Sequence, residues 1–467
     1  MTENKYLTGD KVIDECRGEL FSLANRLWEH PETGYKEYYA SGELCSLLQE
    51  KGFQVEQGIC DLPTALKATY GSGSPVIGLL AEFDALPGLS QCMVPEKKPL
   101  VPGAPGHGCG HSLMPSANIL ALLAIREEMK EKHLPGTLVF YGCPAEEVLT
   151  GKAVMAKRGA FRELDVAFCW HPGKYNRASY SILTGVNGRK YHFHGKTAHA
   201  AVEPEQGRSA LDAVELMNVG INYLREHVPS DVRMHYVIAD GGQAPNIVPD
   251  YACSWYFDRA LDIQTMREVE ERMTDVAKGA ALMTGTTLEI EELGGCYPVL
   301  PNHVLGKLVD ECMREIPQEP WSEEELEYAR KVNAADPKEW KKSVRYSGSD
   351  DPDLQIYHGV MPIDTDNDYG SSDVGDVGHL VPTTFFKTSC YAIGAPGHSW
   401  QIAACLNTSM GEKGMVYGAR ILLHAAMKIL ENPELCAKAK AEFEQETRGQ
   451  EYVSLIPDTF TLPDRES

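Results

Sequence analysis

The chain of 467 residues is too long for one ordinary hydrophobic core, so we expect either two or three domains or one large α/β domain with an insertion. It carries 44 lysine and arginine residues against 67 aspartate and glutamate residues, a net charge of −23. This charge argues against nucleic acid or an anionic membrane surface as its main partner. The longest apolar run, residues 119–125, is far shorter than the ~20 residues that a membrane-spanning helix needs.

The sequence favours a soluble protein of the cytoplasm. Its first ten residues, MTENKYLTGD, contain no basic region followed by an apolar stretch, so we expect no secretory signal. The thirteen cysteines are odd in number and spread through predicted helices and strands, which is typical of reduced thiols in a cytosol.

Helices and strands alternate through the first part of the chain, residues 1–184. Apolar periodicity predicts helices at 10–30, 38–51 and 116–132. Short apolar runs predict strands at 53–55, 65–70, 75–81, 137–143 and 165–169. This alternation predicts an α/β fold with a mostly parallel sheet covered by helices.

A different pattern occupies residues 185–298. Predicted strands and helices follow one another there in the order β-α-β-β-α-β, a ferredoxin-like plait that folds independently. We therefore predict an inserted domain, and its exposed sheet edges make pairing with a second subunit plausible. The α/β pattern resumes in residues 299–467, with a charged helical excursion at 317–347, a loop at 364–378 and a helical C-terminal region.

A glycine-rich loop at residues 106–111, Gly-His-Gly-Cys-Gly-His, contains the most informative motif. Cys109 and His111 offer a thiolate and an imidazole two residues apart, which is a suitable pair of ligands for a transition metal. Either residue alone is weak evidence, because a cysteine in such a place is equally well a buried structural thiol.

Four further residues lie where predicted strands end or loops are rich in glycine. Glu146 and Glu147 follow one apolar strand, His171 ends another, and His398 follows Pro396-Gly397. Paired glutamates are usually solvated and single histidines usually serve as hydrogen-bonding residues. The carboxyl ends of parallel strands, however, meet at one edge of a sheet, so these residues together form a complete ligand set.

Such a set can support hydrolysis of an amide bond. Metal ions lower the pKa of bound water and polarise a carbonyl group, and a carboxylate that is not a ligand can act as the base. In this interpretation Cys109 bridges two ions, His111, Glu147, His171 and His398 complete the ligands, and Glu146 transfers the proton.

Several motifs together resemble the aminoacylase and carboxypeptidase group of dinuclear metallopeptidases, and within it the p-aminobenzoyl-glutamate hydrolase branch. They are Ala-Glu-Phe-Asp-Ala-Leu-Pro-Gly at 81–88, the loop at 106–111, Pro-Ala-Glu-Glu at 144–147, Gly-Lys-Thr-Ala-His-Ala-Ala at 195–201 and Gly-His-Ser-Trp at 397–400. The resemblance spans nearly the whole chain and includes the plait.

The resemblance implies roles for individual residues and a dimer formed through the inserted domain. It assigns the metal ligands to Cys109, His111, Glu147, His171 and His398, and the general base to Glu146. It also implies that His199 steadies the oxyanion, often from the partner subunit, and that Asn246 and Arg259 hold the substrate carbonyl and carboxylate. A planar guanidinium suits a carboxylate because it donates two parallel hydrogen bonds.

One position departs from the pattern, because many relatives have aspartate where this chain has Ser112. Residues that hydrogen-bond to a metal ligand orient it and affect the affinity for the metal. This serine therefore bears on which metal binds and on how fully the site is occupied. Asp84 is a candidate for the missing support and for a catalytic role, although a turn-forming role fits it equally well.

The sequence thus predicts a dimeric amidohydrolase with two divalent ions per subunit, zinc or manganese first and cobalt as a third candidate. It would cleave an acyl or aminoacyl amide next to a free carboxylate, as in N-acyl amino acids or p-aminobenzoyl-glutamate-like amides. A dipeptidase for unusual dipeptides is the alternative within the enzyme class. A catalytically idle metal-binding protein is the alternative outside it, and the presence of Glu146 and His199 favours chemistry.

Overall fold

The computed structural model of the chain describes residues 5–463. Its strands are β1 (Gln54–Gln57), β2 (Leu66–Ser72), β3 (Val76–Glu82), β4 (Gly136–Cys143), β5 (Val166–Gly173), β6 (Arg177–Ala178), β7 (Gly185–His194), β8 (Arg233–Asp240), β9 (Tyr251–Ala260), β10 (Thr287–Cys296) and β11 (Thr383–Ser389). Its helices are α1 (Leu7–Glu29), α2 (Tyr38–Glu50), α3 (Met114–Glu131), α4 (Gly151–Lys157), α5 (Ala210–Leu224), α6 (Ile263–Thr284), α7 (His303–Glu315), α8 (Glu323–Asn333), α9 (Pro337–Ser347), α10 (Val374–Gly378), α11 (Trp400–Leu406), α12 (Ser409–Glu431) and α13 (Pro433–Thr447).

A seven-stranded sheet with the order β1-β2-β4-β3-β5-β11-β6 forms the centre of the molecule. Its four inner strands, β4, β3, β5 and β11, are parallel, and the outer strands pair antiparallel. Strands β3, β4 and β5 are buried along almost their whole length, which explains their largely apolar sequences. The predicted α/β fold with a mostly parallel sheet is confirmed.

Helices α3 and α12 pack on this sheet, and α1 packs on both of them. The apolar residues of α3 are buried from Met114 to Ile125, so this helix is a core element rather than a surface one. Parallel strands that end together deliver their following loops to one edge of the sheet. The predicted metal ligands lie on these loops and strand ends.

Residues 185–296 form a second, antiparallel sheet with the order β10-β7-β9-β8. Helices α5 and α6 pack against it and enclose a separate apolar core, which includes Tyr191, Met217 and Met273. We call this unit the plait. Its strands alternate buried and exposed residues, as expected for a sheet covered by helices on one side only.

Most predicted elements lie within a few residues of their expected bounds. The predicted loop at 364–378 is partly wrong, because its last five residues form the short helix α10. Val374 and Val377 of this helix are buried, and α10 packs against α4.

No helix in the described part of the chain is both long enough and apolar enough to cross a membrane.

Gly418 in α12 lies where the helix packs tightly on the sheet. A β-carbon at this position would stand 2.3 Å from Trp170 Nε1, and that indole nitrogen donates a 2.8 Å hydrogen bond to Thr388 Oγ1. Because the indole cannot shift without straining this bond, we expect Gly418→Ala to lower the free energy of unfolding by about 1–3 kcal/mol.

The matched control is Gly279→Ala in α6, where no atom of the described residues lies within 4 Å of the added β-carbon. Alanine is the better helix former, so this variant should be stabilised by about 0.5–1 kcal/mol. Urea unfolding followed by tryptophan fluorescence measures both variants. A Gly418→Ala protein as stable as the parent would contradict the packing argument.

Candidate metal centre

Cys109 and His111 lie on the loop between β3 and α3. Gly110 between them has a φ of 112°, and a β-carbon there would stand 2.9 Å from the side chain of Pro172. This turn therefore requires glycine. The close approach of the loop to β5 brings Cys109 Sγ to 3.4 Å from His171 Nε2.

The buried carboxylate of Asp84 holds two of the predicted ligands. His111 Nδ1 donates a 3.0 Å hydrogen bond to Asp84 Oδ1, and Glu147 N donates a 2.8 Å bond to Oδ2. Because a carboxylate only accepts, Nδ1 carries a proton. Burial opposes the charged form of His111, but Cys109 and Asp84 outweigh it and raise its pKa well above the usual value, so Nε2 offers a lone pair only after losing its own proton. Burial opposes the charged form of Asp84, but the hydrogen bond and charge of His111 outweigh it and lower its pKa below the usual value.

The serine at position 112 does not support His111. Ser112 is fully buried, and its Oγ has no hydrogen-bond partner within residues 5–463. Asp84 accepts the bond from His111 instead, which is the supporting geometry that the sequence left open beside a turn-forming role.

Two groups of potential ligands share Cys109. The first combines it with His111 and His171, the second with Glu147 and His398, and within each group the ligand atoms lie within 4.8 Å of one another. His398 Nε2 is 3.4 Å from Glu147 Oε2, and its side chain is 58% exposed whereas that of His111 is fully buried. The cluster is therefore open to solvent on the His398 side.

Unpartnered atoms in this cluster fit a bound cation. His111 Nε2 and Glu147 Oε1 are buried and have no hydrogen-bond partner in the described chain. Such groups are rare in folded proteins because they cost free energy. The donors include nitrogen, oxygen and sulfur, a mixture that suits zinc and similar divalent ions.

Burial also controls the protonation of these ligands. It raises the pKa of the Cys109 thiol to about 12 and that of the Glu147 carboxyl group to about 7. Burial and the charge of His111 hold the pKa of His171 well below its ordinary value. Thiolate and neutral imidazole are the forms that bind metal, so His171 is ready, whereas Cys109 and His111 must each lose a proton.

Glu146 lies beside the cluster without belonging to either group that contains Cys109. Its Oε2 is 3.9 Å from His111 Nε2. Burial and the charge of Glu82 raise its pKa well above the usual value. A carboxylate with a raised pKa, next to the ligands but separate from them, has the properties of a general base.

The backbone around Glu146 is strained. The single 3₁₀ turn Glu146–Val148 is flanked by Ala145 and Leu149, both left-handed with φ of 58° and 60°. Each such residue costs about 1–3 kcal/mol and needs external support. Ala145 N donates a 2.8 Å bond to the buried carboxylate of Glu37, which anchors the turn.

Sequence reasoning missed Glu37, Glu82, Lys152 and Asp373. Glu82, His111 and Glu146 form a third buried group with ligand atoms within 4.8 Å, and Lys152 Nζ lies 2.6 Å from Glu82 Oε1. Glu82 stands in the motif at 81–88 and was therefore detectable. A buried lysine has no such signal, because lysine is almost always solvent-exposed.

His199, Asn246 and Arg259 lie in the plait, and no hydrogen bond or ion pair joins them to the metal cluster in the described chain. His199 pairs with Ile247 in a β-bridge, and Ala200 N donates a 3.0 Å bond to Asn246 O, so the two candidates are neighbours. The Arg259 guanidinium donates to Ser371 Oγ at 2.7 Å. Their predicted roles in substrate binding stay predictions.

Comparison with known proteins agrees with this cluster. A subunit of the p-aminobenzoyl-glutamate hydrolase of Escherichia coli strain K12 is 34% identical over 474 residues, covering 97% of each protein. The Xaa-Arg dipeptidase of Mus musculus is 32% identical over 325 residues, covering 67% of this chain and 72% of that protein. A dinuclear metal-binding peptidase of the M20 family from Bacillus subtilis has a TM-score of 0.61 at 18% identity, covering 90% of this chain and 99% of that one.

The similarity to the solved structure shows only a shared fold. The family of the chain is assigned from the sequence comparisons. The sequence profile of peptidase family M20/M25/M40 matches residues 78–330, which is more than half of the chain. Together with the ligand cluster, this match and the full-length relative show that the chain belongs to peptidase family M20/M25/M40 and is a metal-dependent amidohydrolase.

Proposed function

We propose that this enzyme uses two divalent ions to hydrolyse an amide bond next to a free carboxylate, in a p-aminobenzoyl-glutamate-like amide or an N-acyl amino acid. The observation that carries the proposal is the sharing of Cys109 by two ligand groups with Glu146 beside them. The full-length relative that hydrolyses p-aminobenzoyl-glutamate supports this substrate class.

In this proposal His111 and His171 would hold one ion, Glu147 and His398 would hold the other, and Cys109 would be a ligand shared by both. Ions bound there polarise a carbonyl group and lower the pKa of water. The ligand types suit zinc or manganese, with cobalt as a third candidate. Asp84 keeps His111 in the tautomer that binds metal and fixes the backbone of Glu147.

Glu146 is the proposed base of the reaction. Its raised pKa allows it to take a proton from water and to return it to the departing amide nitrogen. The strained turn keeps its carboxyl group close to His111 Nε2, so the proton is received next to the ligands.

Residues 185–298 are proposed to form a lid, with residues 1–184 and 299–467 as the catalytic domain. In this arrangement His199 steadies the oxyanion, Asn246 binds the substrate carbonyl and Arg259 binds the carboxylate. The separate apolar core of the plait supports its treatment as an independent unit. Movement of the plait toward the metal centre would be required, because no hydrogen bond or ion pair joins these side chains to it in the described chain.

We also propose that the plait forms a homodimer. Among the described strands β8 pairs only with β9, and its other edge is free. On this strand Tyr236, Val237 and Ile238 are 36–57% exposed, and Tyr223 on α5 is 76% exposed. A free strand edge with apolar side chains favours pairing with a second copy.

The thirteen unpaired cysteines support a cytoplasmic enzyme.

A dipeptidase is the second candidate function, favoured by the Xaa-Arg dipeptidase relative. Both candidates use the same centre and differ in the side chains that flank the scissile bond. Release of free amino acid from p-aminobenzoyl-glutamate, N-acyl amino acids and dipeptides, with zinc, manganese or cobalt restored separately, distinguishes them.

Glu146→Gln should keep the metal and lose the reaction. The amide retains the size of the side chain but cannot accept the proton, so kcat should fall about 100- to 10,000-fold with unchanged metal content. Steady-state kinetics and inductively coupled plasma mass spectrometry measure the two quantities. Glu324→Gln, in the exposed first turn of α8, is the matched control, and a similar kcat in both variants would remove Glu146 as the base.

Arg259→Ala should raise KM for carboxylate substrates about 10- to 100-fold, and far less for their amidated analogues, because a charge-assisted hydrogen bond is lost. Ser371→Ala is the control, since it removes the hydroxyl partner of Arg259 and keeps the guanidinium and its 3.4 Å bond to Tyr369 O. If Ser371→Ala raises KM as much as Arg259→Ala does, for the carboxylate substrates and for their amidated analogues, Arg259 has only a structural role in holding the plait.

Mixed dimers test whether His199 acts across the interface. When His199→Ala chains are mixed with Glu146→Gln chains, one of the two sites in each mixed dimer should contain both functional residues. Activity should then recover toward one quarter of that of the parent protein. No recovery, in mixtures shown by native mass spectrometry to contain mixed dimers, would show that His199 acts within its own chain.

A further inference from the structure

Lys152 is a buried cation next to the metal centre that neither ligand group uses. It lies in the first turn of α4, and its side chain is fully buried. Its ammonium lies 2.6 Å from Glu82 Oε1 and donates a 2.6 Å hydrogen bond to Asp373 Oδ1. Lys152 N donates a further 2.7 Å bond to Asp373 Oδ2, so the lysine is held at both its backbone and its side chain.

Glu82 connects this lysine to the ligands. Its Oε2 lies 3.3 Å from His111 Nε2, the atom that has no hydrogen-bond partner in the described chain. Glu82, His111 and Glu146 also bring their potential ligand atoms within 4.8 Å of one another. Judged by donors alone, this third group is as suitable for a divalent ion as the two groups that contain Cys109.

The charges decide what the third group can hold. Glu82, Glu146 and Asp373 are three buried carboxyl groups, and Lys152 is the single ammonium among them. Burial favours its neutral amine, but the charges of Asp373 and Glu82 outweigh burial and hold the pKa of Lys152 well above its ordinary value. A fixed positive charge 2.6 Å from one carboxylate oxygen repels a second cation and satisfies part of the negative charge.

We propose that Lys152 is a positioning residue of the metal centre. Its ammonium is the built-in cation of the Glu82 and Glu146 carboxyl groups, so it holds Glu82 beside His111 and keeps a further divalent ion off these two carboxyl groups. Metal then binds only at the two groups that contain Cys109. The inference rests on the two-ion centre of the proposed function.

Counting bound ions tests the inference without a substrate. The chelator-stripped chain is titrated with Co²⁺, and the bound equivalents, dissociation constants and absorption spectrum are recorded. The parent protein should bind two equivalents. Lys152→Met should bind a third at the carboxyl groups of Glu82, Glu146 and Asp373, with a new oxygen-rich d–d spectrum, because these groups have lost their cation while His111 stays with the first ion. Lys152→Met/Glu82→Gln should return to two, because a ligand is removed together with the cation.

Lys157→Met is the matched control, since Lys157 is in the same helix but pairs with Asp458 and Ile456 O at the surface. It should bind two equivalents with the parent spectrum. A folded Lys152→Met chain that also binds two equivalents with the parent spectrum would overturn the inference. If the parent itself binds fewer than two ions, the proposed two-ion function fails instead.

Glu82→Gln keeps the inference testable if Lys152→Met does not fold. The amide preserves the size of the side chain, but the ammonium then faces His111 with less negative charge nearby. The weaker of the two Co²⁺ dissociation constants should rise at least tenfold. A change of less than threefold would show that the Lys152–Glu82 pair is merely structural.

Discussion

The hydrogen bonds that Asp84 accepts determine the geometry of the metal centre. One carboxylate takes a proton donor from His111 on the loop before α3 and another from the backbone of Glu147 after β4. It thereby links ligands that are 36 residues apart in sequence and belong to the two different groups around Cys109. Because Asp84 is buried, neither bond competes with water, and the carboxylate remains charged despite its burial. The open position of Nε2 on His111 follows from this arrangement.

Residues around the site stabilise its unfavourable backbone conformations. Left-handed conformations at Ala145, Leu149 and His398 are unfavourable for residues with a β-carbon, and all three flank proposed catalytic or ligand atoms. Glu37 compensates at one of them, because its carboxylate accepts bonds from Tyr35 N and Ala145 N together with one from Thr64 Oγ1. The central sheet supplies the remaining support, since its buried inner strands fix where each loop begins.

The sequence predicted the parts of this site that depend on local pattern. Glu146, Glu147 and His171 each follow or end an apolar strand, which indicated the edge of the sheet where ligands would lie. In the structure these residues belong to neighbouring groups of potential ligands. Glu82 stands in the motif at 81–88, but its pairing with Lys152 could not be predicted in this way, because the contact joins residues 70 positions apart and reverses the usual preference of lysine for solvent. The sequence also could not predict how far the plait residues lie from the cluster. This separation depends on how the plait packs on the central sheet, which the sequence pattern of neither unit reveals.

One segment, residues 369–376, touches both of these units. Ser371 accepts a partly buried bond from Arg259 of the plait, whereas Asp373 is fixed to Lys152 by two buried bonds. A typical hydrogen bond contributes about 0.5–1.5 kcal/mol, and breaking a buried ion pair costs about 3–5 kcal/mol. In the proposed movement of the plait, the bond at Ser371 would therefore break before the bonds at Asp373. The proposed lid would then free Arg259 for a substrate carboxylate while Asp373 and Lys152 keep their positions.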